Sequence, residues 1–97
     1  MIIKAPKLEE LMQQLIALPS ISCTSPALDQ GNRNVIDMLA DWLEHLGFST
    51  EIQPLNSDGS KANLIATIGQ GSNGLVLAGH TDTVPFDENR WNSDPFK

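Results

Sequence analysis

The residues best suited to chemistry are His80 and Asp82, which are separated by a single position. In an extended backbone, alternate side chains project to the same face, so the imidazole and the carboxylate would lie side by side while Thr81 points away. Such a pair can bind a divalent metal ion through one ring nitrogen while the carboxylate fixes the tautomer through the other. We therefore predict His80 as a metal ligand and Asp82 as the catalytic carboxylate that orients it.

Two other interpretations of this pair must be weighed. A nucleophilic triad also pairs Asp with His, but it needs a nucleophile in a strained turn, and the sequence contains no Gly-x-Ser-x-Gly. A His-x-Asp tripeptide also arises often by chance, and it then forms a solvated turn or a satisfied polar pair. The context favours metal, because the apolar run at residues 75–78 leads into the pair and Val84-Pro85 leads out of it.

The other candidate side chains are weaker. His45 comes near the end of a predicted helix, where a cation complements the helix dipole. Asp87 and Glu88 are expected to be solvated loop acids, and Arg90 is expected to form a surface ion pair. Cys23 is the single cysteine, so an intrachain disulfide is impossible and we expect a small, partly buried packing residue.

Two helices must come before the strand that carries the pair. Residues 7–18 repeat apolar side chains at a 3.6-residue period, and Pro19 stops that helix. A second helix begins somewhere between residues 25 and 32, where Gly31 delays its regular part, and it stops at Gly47. Each predicted helix has one buried face and one wet face, so both need a flat surface to cover.

Three strands are predicted to supply that surface. Residues 48–54 and 63–68 alternate apolar and polar side chains, which is typical of strands with one open face. Residues 74–79 form an uninterrupted apolar run, which is typical of a central strand covered on both faces. The sequence thus predicts an α/β fold of two helices and then three strands. Its last strand ends at His80, where ligand sites of open α/β sheets gather.

Composition limits the possible classes of function. With 97 residues the chain makes one domain at most, and its net charge is −6, from 12 acidic and 6 basic side chains. No basic cluster occurs, which argues against a nucleic-acid partner. No apolar run approaches the ~20 residues that cross a bilayer, and the first ten residues lack a signal-peptide pattern. We therefore expect no membrane partner and a cytoplasmic location.

A longer motif surrounds the pair. LAGHTDTVP at residues 77–85, followed by Trp91 and by DPF at 94–96, resembles the first metal-binding motif of the M20 family of co-catalytic metallopeptidases and deacylases. The resemblance extends from Leu8 to Phe96 through further matching stretches, which lie at residues 18–22, 27–30, 39–42, 46–48 and 68–71.

The resemblance implies a fold and an activity. The fold would be a zinc-exopeptidase α/β sandwich with a mixed sheet and helices on both sides. His80 would bind one of two zinc ions, for which cobalt can substitute, and Asp82 would orient the imidazole. The two metals would promote attack of water on the amide of a small N-acyl amino acid, N-acetylornithine, to release ornithine and acetate. Sibling amidohydrolases that act on succinyl-diaminopimelate or dipeptides remain an alternative, as does a non-enzymatic α/β interaction module.

The family pattern also requires groups that follow the first motif: a bridging Asp, a Glu pair, a further acidic ligand and a second His. One His holds zinc only weakly, because zinc sites use three or four protein ligands. We therefore expect residues 1–97 to be the N-terminal part of the catalytic domain, without the lid domain through which these enzymes form homodimers. By itself the chain is expected to be inactive and to self-associate through exposed apolar surface.

Overall fold

The computed structural model describes residues 6–97, so the first five residues of the predicted domain lie outside the described part. Two helices are followed by a two-stranded antiparallel sheet, which confirms the predicted α/β class. Within residues 6–97, no helix combines the length and the apolar character needed to cross a bilayer. The elements are α1 (Leu8–Ile16), α2 (Arg33–His45), β1 (Ser49–Pro54), β2 (Ala62–Thr67) and a short 3-10 helix (Glu88–Arg90).

Helix α1 forms where the apolar period predicts it, but the prediction of a buried face is wrong for this helix. None of its residues is buried, and only Leu11 and Leu15 are half-buried. The reason is its position: α2 packs against both strands, whereas α1 lies beside α2. The two helices enclose a small apolar cleft of about 170 Å³, lined by Leu11, Leu15, Leu39, Trp42, Leu43 and Leu46.

Helix α2 begins at the late end of the predicted interval, directly after Asn32. This start agrees with the predicted delay at Gly31, a position where glycine is needed because a Cβ would lie 2.1 Å from the carbonyl oxygen of Ser60. The helix ends as predicted before Gly47, whose φ of +96° is the left-handed conformation that glycine adopts without penalty. Its buried residues are Val35, Ile36, Ala40 and Trp42, which confirms that this helix has one buried face. The predicted apolar stripe also includes Leu46, which is 57% exposed and does not belong to that face.

Strands β1 and β2 form a hairpin whose register runs from Ser49 opposite Thr67 to Pro54 opposite Ala62. Within this register Ile52 lies opposite Leu64, and both side chains are half-buried. The alternation of apolar and polar residues thus places one face of the hairpin against α2 and leaves the other face open. This confirms the first two predicted strands.

The predicted third strand is not formed. Residues 74–79 take part in no strand pairing with any other segment of residues 6–97. Leu75, Val76 and Leu77 are 85%, 87% and 87% exposed, although the sequence predicts that both faces of this run are covered. The apolar pattern reports a preference for burial, but a central strand also needs hydrogen-bonding neighbours on both edges, which the described residues do not supply.

After the candidate site the chain packs on itself through three aromatic rings. The ring of Phe86 makes edge-to-face contacts with Trp91 at 6.2 Å and with Phe96 at 5.6 Å between centroids. This geometry is the one that the ring quadrupole favours. The aromatic residues that follow the His-x-Asp pair therefore organise the last segment, residues 86–96, around a local apolar cluster.

Candidate metal-binding site

The structure brings the two predicted site residues together directly after the apolar run. The Nδ1 atom of His80 lies 3.1 Å from the carboxylate oxygen Oδ1 of Asp82. The same nitrogen lies 3.0 Å from the main-chain carbonyl oxygen of Asp82. Asp82 thus places two acceptor oxygens beside the same ring nitrogen of His80. Asp82 is also the residue that the alternation of side chains along an extended backbone predicts on the same face as His80.

This geometry defines which ring nitrogen can bind a ligand. Because both oxygens are acceptors, the proton of a neutral imidazole belongs on Nδ1, which leaves the lone pair on Nε2. The side chain of His80 is 82% exposed and that of Asp82 is 57% exposed, so Nε2 is accessible. A metal-binding imidazole has this same arrangement, in which a carboxylate accepts from the nitrogen that does not bind the metal.

The imidazole of His80 fits one coordination position of a zinc or cobalt site. Imidazole suits both metals, and a zinc site uses three or four protein ligands. In the described part of the chain, no group of three or more His, Cys, Asp or Glu side chains is placed to hold a metal ion. The pair therefore amounts to one ligand, His80, with its orienting carboxylate.

The backbone around the pair is held by residues 20–22. The main-chain N–H of Thr83 donates to the carbonyl oxygen of Ser20 at 3.0 Å, and the N–H of Ser22 donates to the carbonyl oxygen of Thr83 at 2.9 Å. These two bonds form a short parallel bridge between Ile21 and Thr83. A loop that follows α1 thus supplies the strand-like pairing that residues 80–83 need.

Two side chains, those of Ser20 and Asn32, hold Thr81 from the interior. The hydroxyl of Ser20 donates to the carbonyl oxygen of Thr81 at 2.7 Å, and Ser20 is only 5% exposed. The amide Nδ2 of Asn32 donates to the Thr81 hydroxyl oxygen at 2.9 Å. Because Thr81 faces inward, its neighbours His80 and Asp82 face outward.

Asn32 also connects this segment to the sheet. Its Nδ2 donates to the carbonyl oxygen of Ala62 and its Oδ1 accepts from the N–H of Ala62, both at 2.9 Å. Sequence reasoning missed both Ser20 and Asn32. They lie 61 and 49 residues from Thr81, so nothing local in the sequence marks them as partners of the site.

An open groove of about 1420 Å³ extends from the site. Its lining includes β2, the loop after it and residues 74–82, which contain His80 and Asp82. Ile36, Leu39 and Leu43 of α2 form part of its lining. The site therefore stands at the border of a wide and partly apolar depression.

The weaker candidates have local roles. The Nδ1 atom of His45 lies 2.9 Å from the carbonyl oxygen of Asp41 in the last turn of α2, as expected for a residue that stabilises a helix end. Asp87 accepts from the N–H of Asn89 at 3.0 Å and so begins the 3-10 helix that contains Glu88 and Arg90.

Asp29 is a charged residue that sequence reasoning missed. Its carboxylate lies 2.8 Å from Nζ of Lys61 and accepts from the N–H of Cys23 at 2.8 Å. The hydrogen bond from Lys61, followed by that from Cys23, lowers the pKa of Asp29 below its ordinary value. Asp29 thereby ties the loop after α1 to the start of β2. Cys23 is half-buried and forms no disulfide, and its sulfur accepts from the N–H of Ser25 at 3.4 Å.

Comparison with known proteins adds sequence similarity to this geometry. No protein-family model matches the chain. Two curated relatives are deacetylases, which confirms the resemblance to a family of deacylases. Both are named acetylornithine deacetylase. The chain is 60% identical to that of Proteus mirabilis (strain HI4320) over 94 residues and 56% identical to that of Shigella sonnei (strain Ss046) over 93 residues.

The extent of these matches matters for the site. They cover 97% and 96% of this chain but 24% of each relative, so the chain spans about a quarter of the length of the relatives. Since the alignment to the Proteus protein includes 94 of the 97 residues, its span includes His80 and Asp82.

Proposed function

We propose that this chain is the N-terminal part of the metal-binding catalytic domain of an enzyme that hydrolyses the amide of N-acetylornithine to ornithine and acetate, a step of arginine synthesis. The observation that carries the proposal is the similarity to two acetylornithine deacetylases across a span that contains His80 and Asp82. The contact of 3.1 Å between the imidazole and the carboxylate supports it, because this contact prepares Nε2 for a metal.

The two residues have distinct roles in this proposal. Nε2 of His80 is a ligand to one of two zinc ions per subunit, for which cobalt can substitute. Asp82 accepts from Nδ1, holds the ring in one tautomer and increases the basicity of the ligand nitrogen. When bound, the metal ions would supply the acidified water and the polarised carbonyl that amide hydrolysis requires.

The remaining parts of the enzyme are also proposals. Zinc needs three or four protein ligands and residues 6–97 provide one, so the 97-residue chain alone should not hydrolyse the substrate. The complete enzyme is proposed to be a cytoplasmic homodimer that acts on a small N-acyl amino acid, without a nucleic-acid or membrane partner. The net charge of −6 is consistent with the absence of a nucleic-acid partner.

The decisive experiment uses a chain of the relatives' full length that contains this sequence, called the full-length protein below. Metal content is measured by elemental analysis for the unmodified protein, for His80→Ala and for the matched control His45→Ala. We expect His80→Ala to lose bound zinc and activity, and His45→Ala to keep both. Stoichiometric zinc retained in His80→Ala would instead favour a non-enzymatic module in which His80 and Asp82 only bond to each other.

Substrate identity is tested on the same full-length protein. Hydrolysis of N-acetylornithine is compared with hydrolysis of succinyl-diaminopimelate and of dipeptides, and we expect the largest kcat/KM for N-acetylornithine. A larger kcat/KM for either competitor would assign the chain to a sibling amidohydrolase. In parallel, the 97-residue chain with added zinc or cobalt should show no turnover above buffer, and robust turnover would contradict the proposed need for further ligands.

A further inference from the structure

Residues 80–83 are held on one face only. The preceding apolar residues, 74–79, have no strand partner in the described part of the chain, so they do little to fix the position of His80. Within residues 6–97, the hydrogen bonds that anchor this segment go to Thr81 and Thr83, and they come from Ser20, Ser22 and Asn32. The opposite face is left to His80 and Asp82.

Ser20 fixes both peptide groups that flank Asp82. Its hydroxyl holds the carbonyl of Thr81, which belongs to the peptide before Asp82, at 2.7 Å. Its carbonyl accepts from the N–H of Thr83, which belongs to the peptide after Asp82, at 3.0 Å. A trans peptide is planar, and its N–H and C=O point in opposite directions. When the N–H of Thr83 points to Ser20, the carbonyl of Asp82 must therefore point outward.

That outward carbonyl is one of the two acceptors of the His80 ring. It lies 3.0 Å from Nδ1, beside the carboxylate oxygen at 3.1 Å. Asn32 supports the same orientation, because its Nδ2 donates to the hydroxyl oxygen of Thr81 at 2.9 Å. The Asn32 side chain is itself held by Ala62, whose carbonyl oxygen accepts from Nδ2 and whose N–H donates to Oδ1. Burial of Ser20 makes the arrangement stiff, since a buried hydroxyl that loses its acceptor is costly.

We infer that Ser20, Asn32 and Thr81 are positioning residues that hold His80 in the Nδ1–H tautomer and so present Nε2 to the metal. The inference rests on the proposed function for its purpose, but not for its test. The tautomer can be measured in the metal-free chain, where no catalysis is involved. Sequence analysis pointed to none of these roles, and the contacts that define them join distant parts of the chain.

The test is nitrogen-15 NMR of the His80 ring in the 97-residue chain, at a pH where the imidazole is neutral. The ratio of the Nδ1–H to the Nε2–H tautomer is compared in Ser20→Ala, Thr81→Val and Asn32→Asp. We expect the ratio to fall several-fold in each variant and to recover in Thr81→Ser, which restores the hydroxyl. The matched controls are Ser57→Ala and Thr67→Val, two exposed positions, which should leave the ratio unchanged.

Folding is monitored by the backbone amide signals of β1 and β2. If these signals change in Ser20→Ala, the decision passes to Thr81→Val, which keeps the shape of a half-buried side chain and removes only its hydroxyl. An unchanged tautomer ratio in the folded variants would overturn the inference, and so would the absence of rescue in Thr81→Ser.

A second measurement is cobalt affinity of the full-length protein, followed by its visible absorption. Removing a group that orients a metal-binding His typically weakens metal binding by about 10–100-fold, and we expect Thr81→Val to show a loss of this order that Thr81→Ser reverses. A protein that binds no cobalt but has a tautomer ratio that responds to Thr81→Val would refute the proposed function and leave the positioning role intact. An unresponsive ratio in an active enzyme would refute only the positioning role.

Discussion

Among single residues, the two carboxylates with the clearest geometry have different partners. Asp82 is exposed and faces the imidazole of His80, whereas Asp29 is partly covered and faces the ammonium group of Lys61. The first contact orients a ring whose other nitrogen is accessible, so its effect should appear in metal binding. The second contact joins a loop to a strand, so its effect should appear in stability.

Replacing Asp82 with Asn should weaken metal binding without unfolding the protein. The amide keeps the size of the side chain but removes the negative charge that increases the basicity of His80. In the full-length protein, cobalt affinity should fall by about 10–100-fold in a titration followed by visible absorption. Asp87→Asn is the matched control, because Asp87 begins the 3-10 helix and should leave the affinity unchanged. Equal affinities in Asp82→Asn and the unmodified protein would contradict the orienting role.

Asp29 makes the stability of the chain depend on pH. Its pKa is lowered in the folded state by Lys61 and by the N–H of Cys23, so its contribution is complete above the ordinary carboxyl pKa. That contribution is lost as pH falls through the lower pKa of the folded state. Asp58 acts in the same direction, because hydrogen bonds from the backbone and side chain of Ser60 lower its pKa.

The pH dependence can be measured by thermal unfolding of the chain across the acidic range. Asp29→Asn should lower Tm at neutral pH. Its Tm should also fall less steeply with decreasing pH than that of the unmodified protein, since one carboxyl group with a lowered pKa no longer titrates. Asp41→Asn, an exposed position on α2, is the comparison. If Tm depended on acidic pH in the same way in Asp29→Asn and Asp41→Asn, the contact between Asp29 and Lys61 would not contribute to the stability of the fold.

At the scale of elements, the start of α2 is joined closely to the turn of the hairpin. The N–H of Arg33 donates to the carbonyl oxygen of Ser60 at 3.1 Å, and the guanidinium of Arg33 donates to the carbonyl oxygen of Gly59 at 3.2 Å. Asn32 adds its two bonds to Ala62. This junction fixes the start of α2 against the hairpin. It also positions the side-chain amide of Asn32, which donates to Thr81.

Gly31→Ala should disrupt this junction. A Cβ at position 31 would lie 2.1 Å from the carbonyl oxygen of Ser60, and a main-chain atom cannot move aside as a flexible side chain would. We expect a loss of roughly 1–3 kcal/mol in the free energy of unfolding, as for other overpacked sites, measured by denaturant titration. Gly74→Ala is the matched control, because no atom lies within 4 Å of its Cβ position. Similar stabilities of the two variants would show that the junction is looser than described.

For the whole molecule, the main feature is apolar surface without a partner. Leu75, Val76 and Leu77 line the groove and are exposed, and the backbone of residues 74–79 has no strand pairing in the described part of the chain. Exposed apolar residues in a segment with free hydrogen-bonding groups favour association with another chain. This arrangement motivates the prediction that the 97-residue chain self-associates.

Val76→Lys should reduce that self-association, because it places a charge in the middle of the exposed run. The mean mass from light scattering should increase with protein concentration for the unmodified chain and should remain closer to the monomer mass of 10.6 kDa for the variant. Leu55→Lys, another exposed apolar position, lies in the hairpin loop and should not change the mass. A monomeric unmodified chain at all concentrations would show the prediction to be wrong.

Local sequence patterns were enough to predict most of the elements. The 3.6-residue period places α1 and α2, Gly47 ends α2, and alternation defines the two strands of the hairpin. The same alternation predicts that His80 and Asp82 lie on one face, and the contact of 3.1 Å agrees with it. These features depend on backbone geometry over a few residues, which is why the sequence by itself determines them.

Only the tertiary structure decided which segments meet. The contacts of Ser20 and Asn32 with Thr81 span 61 and 49 residues, the requirement for glycine at position 31 comes from Ser60, and the ion pair of Asp29 is with Lys61. Residues 74–79 give the opposite case, in which an apolar pattern predicts burial but the residues are exposed, because the pattern does not provide a packing partner. Long-range packing selects such partners from many chemically equivalent residues, and no local period or spacing distinguishes among them.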